Sequence, residues 1–256
     1  MFPKSVPILA LVAAAVVAGC GRRPPPSAAA PPAAATKADY TGSPEVQKVR
    51  LANGAPTLEG SAAPQAVVRL AMPAGTAFTT RADASGRWRL ALPAAPEPRI
   101  FGLSQRTGGR LVQAQGYVLV GPRGKAALLR AGAGARRLDP AAGPRLGAVD
   151  FDRDGAAIVS GAAPARAWIS LRLDGRQAAE ARADAGGHFD VALTRLAPGA
   201  HALEVLGDGF TSAARVDITP PAPLVAGPLH SQFTKGGLRA DWLTPGGGEQ
   251  STVLLD

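Results

Sequence analysis

The feature that most constrains the fold of this 256-residue chain is an internal duplication. Residues 81–92 read Arg-Ala-Asp-Ala-Ser-Gly-Arg-Trp-Arg-Leu-Ala-Leu, and residues 182–193 read Arg-Ala-Asp-Ala-Gly-Gly-His-Phe-Asp-Val-Ala-Leu. Further matches with the same spacing lie upstream: Asn53-Gly54 with Asp154-Gly155, and Gly60 with Gly161. Because the matches follow one another in order, they indicate two copies of one folding unit.

Each copy of the duplicated segment carries the pattern of a half-buried strand. Apolar residues alternate with polar or small ones over residues 88–92 and again over residues 189–193. A period of two places all the apolar side chains on one face of a strand. The preceding Asp-Ala-Ser-Gly and Asp-Ala-Gly-Gly are turn-forming sequences. The repeat therefore predicts a tight turn followed by a strand.

The second copy contains seven short segments with strand character, separated by turn signals. They lie near residues 146–150, 157–160, 167–173, 177–183, 188–193, 201–206 and 213–219. Short strands at such spacing are typical of an antiparallel β-sandwich. In the first copy, residues 99–120 predict two further strands around Thr107-Gly108-Gly109. The predicted fold class is all-β.

Two motifs of the second copy resemble bacterial Ig-like domains. Residues 183–189 match their Asp-x-x-Gly-x-aromatic turn, and residues 196–205 match a later Gly-x-His-x-Leu-x-Val strand. The first copy keeps the turn but lacks the second motif. The resemblance implies two tandem Ig-like sandwiches. It implies no particular activity, because such folds serve many functions.

These patterns divide the chain into segments with different expected roles. We expect a signal peptide at 1–19, a tether at 20–43, sandwiches at 44–130 and 145–222, a linker at 131–144 and an extension at 223–256. Within the extension, residues 238–243 and 251–255 predict a hairpin around Pro245-Gly246-Gly247-Gly248. Since an isolated hairpin is marginally stable in water, we expect it to dock on the second sandwich.

The N-terminus has the pattern of an export signal. Lys4 precedes an apolar run over residues 6–18, which is shorter than the ~20 residues a membrane-spanning helix requires. The length fits the hydrophobic region of a secretory signal peptide. The run ends in Val17-Ala18-Gly19-Cys20, and Cys20 is the only cysteine in the chain.

This ending resembles a bacterial lipobox. The resemblance implies a thioether-linked diacylglyceryl group on Cys20, cleavage after Gly19 and acylation of the new amino terminus. A thiol is the strong nucleophile that such chemistry requires, and several acyl chains form a stable anchor. Gly21 follows Cys20. In Gram-negative lipoproteins, the absence of Asp at this position implies export to the outer membrane. The alternative is an ordinary signal peptide or plain anchor with a chance cysteine.

The segment after Cys20 predicts an unfolded tether. Residues 21–40 are rich in Pro and Ala and carry no apolar periodicity. Pro-rich chain favours extended polyproline II conformation. Arg22 and Arg23 would lie near anionic lipid headgroups.

The charge and the single cysteine restrict the partners and the chemistry. The formal net charge of +9 permits anionic partners. The arginines are dispersed rather than clustered, so we expect no nucleic-acid partner. One cysteine excludes an internal disulfide.

No catalytic, cofactor or metal site is predicted. Asp150, Asp152 and Asp154 match the opening of a calcium loop, but its twelfth position is Gly161 instead of the required Glu. In the first copy, Val49 and Leu51 occupy the positions of Asp150 and Asp152, so the shared element is a turn. The histidines lack metal-ligand spacing, and His201 is expected to be a hydrogen-bonded rim residue. The common hydrolase motifs are absent from the sequence.

Trp168 and Arg172 are the candidate ligand contacts. Both fall on the polar face of a predicted strand, opposite Leu171. If it is exposed, Trp168 could stack on a sugar ring or pair with an arginine. Alternatively, the C-terminal hairpin with Trp242 covers it. We expect the covered state, because an exposed ring forms an adhesive patch.

Together these observations predict a non-enzymatic lipoprotein of the cell envelope, anchored in the membrane through Cys20 and most consistent with the outer membrane. Its Ig-like domains would serve protein interaction, scaffolding or adhesion. One alternative is a module that binds peptidoglycan or another glycan, and a second is a hydrolytic enzyme. Pull-down with cell-wall material distinguishes the protein-interaction role from the glycan-binding role. A pocket with convergent polar groups would characterise the third.

Overall fold

The computed structural model describes residues 41–140, 142–221 and 223–256. Apart from one 3-10 turn at Pro122–Gly124, regular structure in these ranges consists of β-strands. The prediction of an all-β fold with antiparallel sandwiches is confirmed. The signal peptide, Cys20 and most of the predicted tether lie outside the described residues. Within the described ranges, no helix has the length and apolar character needed to span a membrane.

The first sandwich packs a three-stranded sheet against a larger one. Its strands are β1 (Glu45–Ala52), β2 (Ala55–Ser61), β3 (Val67–Ala71), β4 (Ala77–Arg81), β5 (Arg87–Ala91), β6 (Arg99–Thr107), β7 (Arg110–Gln113), β8 (Tyr117–Val120), β9 (Ala126–Leu129) and β10 (Arg136–Arg137). The orders are β1-β2-β5 and β10-β9-β8-β6-β3-β4, with β7 also paired to β6. Leu58, Leu70, Trp88 and Phe101 form the centre of the core between them.

The second sandwich repeats this arrangement. Its strands are β11 (Arg145–Phe151), β12 (Ala157–Ala162), β13 (Trp168–Leu173), β14 (Arg176–Arg182), β15 (His188–Leu193), β16 (Gly199–Gly207) and β17 (Phe210–Ile218). Sheet β14-β13-β16-β17 covers a core that includes Val159, Leu171, Phe189 and Leu203. All seven strands expected for this copy are present, because each carries its own apolar alternation and turn signals.

The turns before β5 and β15 have the same hydrogen-bonded structure in both copies. The Asp83 Oδ1 atom accepts hydrogen bonds from the backbone N–H groups of Ser85 (2.8 Å) and Arg87 (2.9 Å). Asp184 does the same for Gly186 (2.8 Å) and His188 (2.9 Å). The aspartate thus closes the turn that aims the following aromatic residue into the core.

The C-terminal segment is built into the second sandwich rather than laid on it. The expected hairpin is present as β19 (Gly237–Leu243) and β20 (Glu249–Leu255), and a further strand, β18 (Leu229–Thr234), precedes it. β20 pairs with β11, which gives the sheet order β15-β12-β11-β20-β19-β18. The segment therefore covers the free edge of β11 and supplies Val253 and Leu255 to the core.

A third apolar cluster joins the two sandwiches. Leu119 and Leu129 of the first sandwich pack with Leu238 and Trp242 of β19. The Trp242 ring meets the Tyr117 ring edge-on, with their centroids 5.9 Å apart. Residues Thr41–Asp256 accordingly form one compact unit.

The segment expected to be a linker, residues 131–144, takes part in this packing. It contains β10, and its Ala135 and Leu138 side chains are buried. The Val49 N–H donates to the Leu138 carbonyl at 2.7 Å. A methyl group at Gly134 would overlap Ser160 and Asp190. The small residues of this segment, which are typical of a spacer, allow its backbone to pack closely against the neighbouring sheet.

Candidate functional site

The outer face of β13 carries both side chains singled out as candidate ligand contacts. β13 lies between β14 and β16, so this face is in the middle of its sheet. Ile169 and Leu171 point into the core, whereas Trp168 and Arg172 point outward. We refer to Trp168, Ser170 and Arg172, with Arg182 and Glu204 beside them, as the Trp168 face.

Trp168 is exposed, with 59% of its surface accessible to solvent. The expectation that the C-terminal hairpin covers it is wrong. That hairpin extends the opposite sheet of the sandwich, and its Trp242 is fully buried against the first sandwich. Because β19 pairs with β20 and β20 pairs with β11, Trp242 belongs to the sheet of β11. Trp168 therefore lies on the other sheet of the second sandwich.

An arginine holds the Trp168 ring in place. Arg182 is the residue directly across from Trp168 on β14, and its guanidinium lies 5.5 Å from the centroid of the indole ring. Arg182 Nε also donates to the Arg166 carbonyl at 2.9 Å. A cation over an exposed indole stabilises the pair by about 0.5–1 kcal/mol. The ring is thus positioned while much of its surface stays accessible.

Arg172 lies at the other end of the Trp168 face. Its Nη1 is 3.5 Å from the Glu204 carboxylate, and both side chains are more than a third exposed. Such a pair contributes little and is easily exchanged for another partner. Along a strand, four residues span about 13 Å. The face therefore presents an aromatic ring and a guanidinium at a separation suited to an extended partner.

The calcium-loop motif forms a turn, as expected. Asp152 Oδ1 accepts the backbone N–H groups of Asp154 and Ala156, each at 3.0 Å. Asp150 instead points into the interior. Among the residues that the structure describes, no group of three His, Cys, Asp or Glu side chains is placed to hold a metal ion.

His201 makes hydrogen bonds through both ring nitrogens. Its Nδ1 lies 2.8 Å from the Asp174 carboxylate and its Nε2 lies 2.8 Å from the Ala197 carbonyl. Because both neighbours are acceptors, the doubly protonated ring satisfies them. Partial burial opposes that charge, but the hydrogen bonds outweigh it and raise the pKa of His201. This arrangement anchors a loop and leaves no nitrogen free for a ligand.

The sequence singled out Asp150 as part of a calcium-loop motif but did not reveal its buried structural role. Burial raises the pKa of its carboxyl to about 7, although hydrogen bonds from Thr252, Ala135 and Gln250 oppose the shift. The Ala135 N–H donates at 2.6 Å and Thr252 Oγ1 at 2.5 Å. Since Thr252 is 102 residues from Asp150 in the sequence, no local pattern predicts the contact. Asp150 thus ties the segment before β10 to β20.

Comparisons with known proteins return only distant similarities. No family model matches the chain, and no curated protein matches it. The central fibronectin-III array of RIM-binding protein is 12% identical, with 84% of this chain and 89% of that chain covered and a TM-score of 0.29. The D0-D1 domain of intimin is 13% identical, with 67% and 92% covered and a TM-score of 0.25.

A two-domain fibronectin type-III segment from chicken tenascin is 14% identical. The alignment covers 69% of this chain and all of that one (100%), with a TM-score of 0.22. Superpositions this loose give no information on function. The fold of this chain is established by its own strand pairing and cores.

Proposed function

We propose that this chain is a non-enzymatic lipoprotein of the cell envelope that binds another protein in scaffolding or adhesion. The observation that carries the proposal is the exposed Trp168 on a face that also carries Arg182 and Arg172. Tryptophan and arginine are enriched at protein interfaces and dominate their binding energy. An indole held in place by a neighbouring cation loses little conformational freedom on binding, which favours affinity.

Photo-crosslinking in intact cells tests the interaction. A photoreactive phenylalanine analogue at position 168 is expected to capture a discrete partner. The same analogue at Thr79, an exposed residue on β4 of the first sandwich, is the matched control. Capture of the same species from both positions, or from neither, would count against the Trp168 face as an interface.

Membrane anchorage belongs to the same proposal and rests on the lipobox resemblance around Cys20. Metabolic labelling with a radioactive fatty acid is expected to mark the wild-type chain and to spare Cys20→Ser. Label that persists in Cys20→Ser, or an unlabelled wild type, contradicts the anchor. Fractionation of the envelope then distinguishes the outer from the inner membrane.

The exposed indole also favours a second candidate, a glycan of the envelope. Aromatic faces stack on sugar rings, and the arginines of the Trp168 face complement acidic groups. Retention on purified peptidoglycan that falls with salt and with Trp168→Ala supports this candidate. Phe233→Ala, which removes another exposed aromatic ring, is the control. Absence of retention at low salt removes the glycan candidate.

A further inference from the structure

The free edge of β18 is a second surface that another chain can use. The sheet order β15-β12-β11-β20-β19-β18 leaves β18 at the end of its sheet, and within the described residues it pairs with β19 alone. That pairing runs from Leu229 opposite Trp242 to Thr234 opposite Gly237 without a bulge. A regular edge strand presents a row of unpaired backbone N–H and C=O groups, which is a template for another strand.

The β18 strand lacks the charged side chains that protect the other sheet edges. Its sequence, Leu-His-Ser-Gln-Phe-Thr, contains no Lys, Arg, Asp, Glu or Pro. Each of the other edge strands in the described ranges carries at least one charged residue; these strands are β1, β4, β5, β7, β10, β14, β15 and β17. Charges on an edge strand discourage pairing with another chain. Of the edges that the structure describes, β18 is therefore the one without this protection.

A hydrogen bond at the start of β18 shows which of its backbone groups point outward. The Leu243 N–H donates to the Pro228 carbonyl at 3.0 Å, so residue 228 and every second residue after it form the hydrogen-bonded pairs with β19. The backbone groups of Leu229, Ser231 and Phe233 consequently point away from β19. Nothing in the described part of the chain forms a hydrogen bond to them.

We propose that the β18 edges of two copies of this chain pair antiparallel across a two-fold axis at Ser231 and join their six-stranded sheets into one. In this register the outward groups of Ser231 face those of Ser231 in the second copy, and Leu229 faces Phe233 of the second copy. All three residues then exchange backbone hydrogen bonds with the other copy. Because each chain has one β18, the pairing closes at a dimer. The dimer does not depend on the Trp168 face.

The side chains in this register favour a second copy as the occupant. Leu229 meets the apolar Phe233, and His230 meets the polar Gln232 on the other face of the strand pair. Apolar residues opposite each other stabilise a strand pair, whereas like charges opposite each other destabilise it. Since the chain carries a net charge of +9, a second copy is repelled least at an uncharged edge. The Phe233 ring is 46% exposed, and the Arg123 guanidinium lies 5.0 Å from its centroid.

Disulfide cross-linking tests the position of the two-fold axis. In a hydrogen-bonded antiparallel pair, opposite Cα atoms lie about 5.5 Å apart, a distance that a disulfide spans. Purified full-length Ser231→Cys in a mild detergent should form a linked dimer on oxidation. Thr79→Cys, at the centre of the edge strand β4, is the matched control, and the wild type gives the background from Cys20. A yield of dimer no greater than in these two proteins overturns the proposal.

A mixing experiment tests the register of the pair. Leu229→Cys and Phe233→Cys should link to each other when the two variants are mixed, because positions 229 and 233 face each other across the axis. Each variant alone should link poorly, since the two copies of one position are four residues apart along the strands, about 13 Å. Equal linking in the mixture and in the separate variants overturns the register.

Sedimentation equilibrium of the full chain in a density-matched detergent measures the dimer without a cross-link. The wild type should dimerise reversibly with rising concentration. Ser231→Lys places two ammonium groups directly opposite each other and should raise the dissociation constant about tenfold or more. Thr79→Lys, the same substitution on β4, should dimerise as the wild type does. A monomeric wild type, or an unchanged dissociation constant in Ser231→Lys, overturns the proposal.

The urea midpoint of dilute Ser231→Lys separates loss of the dimer from loss of the fold. The outward backbone groups of Ser231 take no part in the β18–β19 pairing, so the midpoint should match that of Thr79→Lys. If the midpoint falls, the cross-linking of Ser231→Cys decides the proposal by itself.

Discussion

Gly60 and Gly161 occupy equivalent positions in the two sandwiches, each directly across from a buried aromatic residue. Gly60 pairs with Trp88, and Gly161 pairs with Phe189. In both places a methyl group on the glycine would overlap the aromatic ring and a backbone carbonyl oxygen of the neighbouring strand. The matched glycines of the repeat therefore make room for the ring that closes each core.

Substitution of Gly161 tests this packing. Gly161→Ala forces the Phe189 ring from its position and should lower the free energy of unfolding by about 2 kcal/mol. The midpoint of urea unfolding measures the loss. Gly246→Ala, where nothing lies within 4 Å of the new methyl group, should leave the midpoint unchanged. A neutral Gly161→Ala would show that the strand can move away from the ring.

His201 makes a stability contribution that depends on pH. Because its pKa is raised in the folded protein, the contribution is complete below the ordinary histidine pKa of about 6.5 and is lost as pH rises through the folded value. The wild type should therefore lose more stability between about pH 5 and about pH 9 than His201→Gln does. Urea midpoints at the two pH values measure the difference. Equal pH dependence in both proteins contradicts the assignment.

At the scale of elements, β19 is buried on both of its faces. Its Leu238 and Trp242 side chains pack against the first sandwich. Arg239 and Asp241, on the opposite face, form a buried ion pair at 2.9 Å, and Arg239 also donates to the Thr219 carbonyl at 2.9 Å. The strand thereby holds the end of β17 on one side and the neighbouring sandwich on the other.

Truncation of the buried ring on this strand is the corresponding prediction. Trp242→Ala removes a side chain with no exposed surface, and should cost about 3–5 kcal/mol. The loss is measured as a shift of the urea midpoint. The adjacent Leu243→Ala is the control, because Leu243 is 40% exposed and should cost little. Similar losses in the two variants would contradict the stabilisation assigned to the buried Trp242 ring.

At the scale of the whole molecule, the two sandwiches are joined by apolar and polar contacts. The cluster around Leu119 and Trp242 is apolar, and Asp150 adds hydrogen bonds between the segment before β10 and β20. Arg137, nearly buried, also donates to the Leu255 carbonyl at 2.7 Å. These contacts leave little freedom for one sandwich to move against the other.

Unfolding should consequently occur in one step. Differential scanning calorimetry is expected to show a single transition whose calorimetric and van't Hoff enthalpies agree. Trp242→Ala should lower the temperature of this transition, because the ring is buried in the cluster that joins the sandwiches. Two separate transitions in the wild type would show that the interface does not couple them.

Much of the β-sandwich was predictable because its information is local. Apolar alternation over residues 188–193, and the aspartate turn before it, act within a few residues of each other. The same alternation placed Trp168 on the outward face of β13. The exposure of that ring was not predictable, since it depends on which sheet the C-terminal strands join.

Local sequence patterns predicted the seven strands of the second sandwich, the turn before β15 and the duplication, but they did not predict β10 or β18. The pairing of β20 with β11, and the burial of Trp242 while Trp168 stays exposed, follow from contacts between distant parts of the chain. The reason is the distance along the chain over which each kind of interaction acts. Strand and turn preferences arise between neighbours in the chain, whereas sheet order, burial and charge satisfaction arise between residues as far apart as Asp150 and Thr252.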